Sequence, residues 1–197
     1  MSSLKKNISN GISLKACTFI VAACLFFFIA NNIYSARVNS ITADEYVHLP
    51  VAISIIQTGN PELDHAGSPP LRGVLALPAL LYSPVMDYSS EYWQKKQFYR
   101  FSWLFMKNNF ARYHDLYFMP RLMNTLFALF LFALVFIMSD SMFGKSAGAI
   151  AAVFFCFNPE ITAHSSLVTV DLLTACFFLR LFSSSQGSCA RLRLSTA

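Results

Sequence analysis

The chain has 197 residues, 55% of them apolar and only 13% charged, with 20 phenylalanines. That charged share is about half of what a soluble domain carries, which excludes a simple soluble globule and marks an integral membrane protein. The net charge is +5, but the Lys and Arg residues alternate with apolar stretches instead of clustering, so the excess argues for anionic lipid and against nucleic acid as a partner.

Residues 1–15 carry Lys5, Lys6 and Lys15 and read as a cytoplasmic N-terminus. The uncharged run from Ala16 to Tyr34 follows. It matches the roughly 20 residues that cross a bilayer and is longer than the apolar middle of a signal peptide, so an uncleaved helix is expected. With the basic end inside, this helix exits and residues 35–121 form a long external loop.

Asp44-Glu45, just past that helix, is the most informative pair. Two adjacent carboxylates at a membrane edge need water, a metal or a polar substrate. Thr42 and Glu45 have capping-box spacing, predicting a helix from Ala43 to about Gln57, kinked at Pro50 and ended by Gly59-Asn60-Pro61. On it Asp44 and His48 share a face. The stretch Asp64-His65-Ala66-Gly67-Ser68-Pro69-Pro70-Leu71-Arg72 enters extended, and Pro70 or Leu71 opens a second apolar helix. Tyr92 to Trp103 mixes aromatic rings with bases and suits a helix lying among lipid headgroups.

Three further apolar runs predict a return to the membrane: Leu122 to Ser139, Ser146 to Asn158, and Leu172 to Leu179. The predicted fold is therefore an all-α polytopic membrane protein with about four transmembrane helices. Alternating them puts Asp44, Glu45 and Asp171 on one external face. The five cysteines, at 17, 24, 156, 176 and 189, show no metal-ligand spacing, and neither a disulfide nor a structural zinc site is expected. Residues 181–197 are Ser- and Arg-rich and read as disordered.

Three blocks together resemble the membrane glycosyltransferases of the GT-C fold that use polyprenyl-phosphate sugars, namely the protein O-mannosyltransferases and the aminoarabinose lipid A transferases. The first block is Ala43-Asp44-Glu45 with His48-Leu49. The second is Pro69-Pro70-Leu71-Arg72 with Leu75-Ala76-Leu77-Pro78. The third begins at Pro120-Arg121-Leu122, passes Met142-Phe143-Gly144, and ends in Asn158-Pro159-Glu160-Ile161-Thr162-Ala163-His164-Ser165 and Val168-Thr169-Val170-Asp171. The likeness covers residues 16 to about 180.

The resemblance implies transfer of a sugar from a polyprenyl-phosphate donor, at the outer face of the plasma (inner) membrane, to a lipid or protein acceptor. Asp44 resembles the base that activates the acceptor hydroxyl, Asp171 a second acid near the site, and Glu45 completes the pair. His48, Pro69, Pro70, Arg72, Arg121 and His164 fall at substrate-binding positions. Each has a plainer reading: Asp44 as a first-turn acid favoured by the helix dipole, Glu45 as a cap, His48 and His65 as loop histidines, and Arg72 and Arg121 as residues reaching headgroups. The aminoarabinose transferases carry an acidic-basic pair before the two prolines, which helps bind metal; here Gly67 and Ser68 stand there. No metal ligand is assigned, and a divalent ion is left open as cofactor. The family has many more membrane helices, so the chain reads as the N-terminal part of such an enzyme, truncated or frameshifted. The alternative is a non-catalytic membrane scaffold or lipid-carrier-binding subunit.

Overall fold

The computed structural model describes residues 13–63 and 69–181. Lys5, Lys6, His65, Gly67, Ser68, Cys189 and the tail 182–197 lie outside the described residues. Among the described residues all regular structure is helical, with no strand.

Helix α1 spans Leu14–Val38, with the Ser13 hydroxyl accepting from the Ala16 amide to cap it. Helix α2 spans Ala43–Thr58 and begins with the anticipated capping box on Thr42 and Glu45. It continues through Pro50 and ends at Gly59, whose φ of 70° closes a left-handed cap that a side chain would strain. Helix α3 covers Pro69–Ala76 and runs into a 3-10 segment at Leu77–Tyr82.

The aromatic-basic stretch forms two helices and not one. These are α4, Glu91–Gln94, and α5, Phe98–Asn108. The break falls at Lys96, which takes a φ of 55°, while Lys95 folds back on Glu91 at 2.8 Å and holds that carboxyl below its ordinary pKa.

A 3-10 turn at Phe110–Arg112 leads into α6, Tyr113–Phe143. At 1.5 Å per residue, its 31 residues reach about 46 Å, more than a bilayer core. After Gly144 comes α7, Lys145–Phe157, then α8, Pro159–Ser165, and finally α9 over 171–181.

Two of these stretches, Leu14–Val38 and Phe110–Phe143, are long and apolar enough to cross a membrane. The third apolar run is a helix pair, α7 and α8, bent by 63°. Asn158 and Pro159 cause the bend: the Asn158 side chain caps α8 and proline cannot continue the ladder of α7. The fourth run is α9, eleven residues within the described chain.

Helices α1, α6 and α7 alternate in direction. The C-terminal end of α1 meets the start of α6 through Arg37 and Asp115 at 3.2 Å. Phe28 of α1 meets Phe155 near the end of α7, with ring centroids 5.8 Å apart. The bundle core joins Phe28, Ala128, Phe132, Ala152, Phe155 and Cys176. Small residues bring α6 and α7 close: a Cβ on Gly148 would lie 3.1 Å from the Phe136 ring. A second core beneath the long loop gathers Leu49, Ile53, Leu75, Phe105, Leu116 and Val168. Cys17, Cys24, Cys156 and Cys176 are buried free thiols.

Candidate functional site

The start of α2, the end of α1, the first turns of α6 and the segment 159–171 meet at one end of the bundle. Two residues join them. Glu45 is 0% exposed and Arg121 2%. Arg121 Nε and Nη2 donate to the two Glu45 oxygens, each at 2.7 Å, the bidentate fork that suits a guanidinium. Nη1 donates to the carbonyls of Ala36 at 3.0 Å and Asn39 at 2.9 Å, and Nη2 also to that of Ser40 at 3.0 Å. All five donors of the guanidinium are therefore engaged.

Glu45 is as fully used. Oε1 also accepts the Val168 amide at 2.9 Å, and Oε2 accepts the Thr42 amide at 3.1 Å and the Thr42 hydroxyl at 3.2 Å. A buried charge pair is tolerable only when the surrounding groups satisfy both partners, as here. Arg121, which the resemblance puts at a substrate-binding position, has no donor left over for a further partner in this arrangement. Glu45 likewise has its oxygens fully occupied; it is the keystone of a clamp that ties α1, α2, α6 and the bent segment 166–170 before α9 together.

The clamp separates the acidic pair. Asp44 is exposed, on the first turn of α2, and has no ion-pair or hydrogen-bond partner among the described residues. Because Glu45 holds Val168, the chain leading to Asp171 is pinned to the same end of the molecule. Asp171 is the first residue of α9, with 60% of its side chain exposed.

His164 lies between two carboxylates: Nδ1 is 3.1 Å from Asp171 Oδ2, and Nε2 is 3.8 Å from Glu160 Oε2. The Thr169 hydroxyl is 3.5 Å from the same Nδ1. His164 thus orients Asp171. The turn that carries it is held from α6, where Asn124 Nδ2 donates to the carbonyls of His164 at 2.8 Å and Leu167 at 2.7 Å, and the Thr125 hydroxyl to that of Ser165 at 2.9 Å.

Asn124 and Thr125 were missed from sequence, where the run after Arg121 was judged by its lack of charge alone. The signal was there: an amide and a hydroxyl inside a membrane helix need a partner.

The remaining anticipated residues lie further out in role or place. His48 is half-buried one turn beyond Asp44 on α2. Pro69 and Pro70 open α3, one position from where the helix start was expected, and Pro70 is exposed. Arg72 sits on α3, 7% exposed. Among the described residues no three His, Cys, Asp or Glu side chains come together as a metal site.

A cleft of about 570 Å³ opens beside the clamp. One wall is α1, with Asn31 and Ser35, and its C-cap Asn39; the other is α8, with Thr162, and its C-cap Ser166; Phe27 and Phe157 line its apolar part. Thr42 stands at the rim. The site as a whole offers an exposed carboxylate on a rigid first turn, a histidine-oriented second carboxylate, and an adjacent amphipathic cleft. No protein-family model matches this chain, nor does any curated protein or solved structure.

Proposed function

We propose that this chain carries the acid-bearing part of a GT-C-type glycosyltransferase, which transfers a sugar from a polyprenyl-phosphate donor to an acceptor hydroxyl at the external membrane face. The observation that supports this most is the division of labour within the acidic pair. Glu45 is consumed by Arg121, and that fixes the first turn of α2, leaving Asp44 as an exposed and positioned carboxylate. Such a group can accept the acceptor's proton as its oxygen attacks the sugar's anomeric carbon and the polyprenyl phosphate leaves. Asp171, oriented by His164, is the second acid of the site.

The reading includes four crossings with the N-terminus in the cytoplasm, the bent α7–α8 pair counting as the third and α9 as the start of the fourth. The alternating helices and the basic residues before α1 support that sidedness. A plasma-membrane location follows from the same reading. Cysteines introduced at Ser89 and Ser141 test it: a membrane-impermeant maleimide should label position 89 and not 141 in intact cells, and the reverse pattern contradicts the orientation.

The functional test uses the chain in proteoliposomes with a radiolabelled polyprenyl-phosphate sugar. Consumption of the donor is expected, falling by about 10²–10⁴-fold in Asp44→Asn with the fold retained, the usual contribution of a general base. Equal consumption in the variant removes Asp44 from the mechanism. Donor binding without any consumption identifies the second reading, a lipid-carrier-binding subunit, which the open amphipathic cleft would also serve.

A further inference from the structure

We infer that the exposed face of α5 seats on the phosphate layer of anionic phospholipid. The helix has two unlike sides. Phe101 and Phe105 are buried against α2, in the cores that hold Val47, Val51, Leu49 and Ile53. At about 100° per residue, Tyr99, Arg100, Trp103 and Lys107 fall on the other side, within an arc about 100° wide. Tyr99 is 65% exposed and Trp103 51%, and Phe110, in the turn that follows, is 74% exposed. Large rings gathered in the open like this are unusual on a surface that meets only water. Tyrosine and tryptophan beside a cation are instead the residues of a membrane–water interface, where the ring meets the acyl boundary and the polar tip the headgroups.

Charge selects the kind of lipid. Helix α5 contains no acidic residue. Around it, Lys95 is spent on Glu91 and Lys96 on Glu62, each at 2.8 Å, and Arg112 donates to the carbonyls of Tyr82 and Ser83. Arg100 and Lys107 have no carboxylate partner among the described residues. Each lies only against a ring, Arg100 at 6.0 Å from the Tyr92 centroid and Lys107 at 5.3 Å from that of Trp103. Their N–H donors are open to a lipid phosphate. The place is right as well. Asn109 alone separates α5 from the stretch Phe110–Phe143 that is long and apolar enough to cross a membrane. Asp115 meets Arg37 at 3.2 Å, just past the apolar run Ala16 to Tyr34 of α1. Phe110 stands about 8 Å beyond that contact along the chain, comparable with the thickness of the headgroup layer. Tyr46 donates its hydroxyl to the Tyr99 carbonyl at 3.2 Å, so lipid held against α5 also steadies the first turns of α2.

This inference is independent of the glycosyl-transfer reading, and its test measures lipid contact alone. The full chain is placed in phosphatidylcholine nanodiscs holding a minor share of either phosphatidylglycerol or phosphatidylcholine with a nitroxide on the fifth acyl carbon. Quenching of Trp103 fluorescence then reads which lipid lies against the face. Trp93→Phe leaves Trp103 as the sole tryptophan of the two. At equal mole fraction, labelled phosphatidylglycerol should quench at least about fivefold more effectively than labelled phosphatidylcholine, the preference that one surface cation supplies. Arg100→Gln together with Lys107→Gln should bring that ratio towards one, and so should molar salt.

Equal quenching by the two lipids, or a preference that survives the double substitution, overturns the inference. So does an absence of quenching by either lipid, which would turn the face towards water or another protein. Should the double variant fail to insert, the salt series decides, and a preference unaffected by molar salt is equally contrary. Should Trp93→Phe fail to fold, the difference in emission between the wild type and Trp103→Phe carries the same reading.

Discussion

Glu45 and Arg121 show how one residue's environment decides its role. A guanidinium with five engaged donors and a carboxylate receiving five hydrogen bonds have no capacity left for substrate. Removing either partner strands the other as a buried charge. Arg121→Met should therefore destabilise the protein by about 3–5 kcal/mol. Arg121→Lys should recover only part of that, because an ammonium cannot supply the fork. Thermal unfolding in detergent measures both, and a wild-type melting temperature for Arg121→Met would show that the pair does not hold the fold.

Tyr88 offers an independent check outside the spans. Its hydroxyl donates to Gln57 Oε1 at 2.5 Å, its ring packs on Trp93 and Phe101, and burial pushes its pKa up to about 12. The folded state then holds this proton more tightly than the unfolded state, so the stabilisation present below about pH 10 should decline as pH rises towards 12. Ultraviolet titration of the wild type against Tyr88→Phe reads the late ionisation directly, and an ionisation near pH 10 in the folded protein would contradict the burial.

At the scale of the helices, local signals were legible and long-range partners were not. Thr42, Glu45 and Gly59 marked the limits of α2 because a capping box and a left-handed glycine are local chemistry. Asn158-Pro159 marked the end of α7 for the same reason. The break at Lys95–Lys96 was hidden, since neither residue is a helix breaker, and the interruption comes from packing Trp93 and Phe101 against Tyr88. Arg121 was read as a substrate-binding or headgroup-reaching residue because its partner lies 76 residues away, a separation that no local pattern reports.

Gly144 is a turn of another kind. Its φ of 91° permits the tight reversal between α6 and α7. Gly144→Ala should cost about 1–3 kcal/mol through backbone strain alone, since nothing lies within 4 Å of the added carbon. A melting temperature unchanged by that substitution would show that the reversal tolerates a side chain.

Across the whole molecule, alternating apolar helices deliver residues distant in sequence to one end, and the clamp fixes them there. Counting four apolar runs from the sequence put Asp44 and Asp171 on one external face; two of the helices are long and apolar enough to cross a membrane. The count could not show that Glu45 pins the chain before Asp171 through the Val168 amide, nor that Asn124 and Thr125 hold the turn carrying His164. The candidate site is thus an exposed acid on a scaffold fastened by a buried pair.

The measurement that tests this most directly compares Asp44→Asn with Glu45→Gln for both donor consumption and thermal stability. The account predicts a dissociation: Asp44→Asn melts like the wild type and loses turnover, while Glu45→Gln melts markedly lower because the Arg121 charge loses its counterpart. An Asp44→Asn variant that turns over normally, or a Glu45→Gln variant as stable as the wild type, would contradict it.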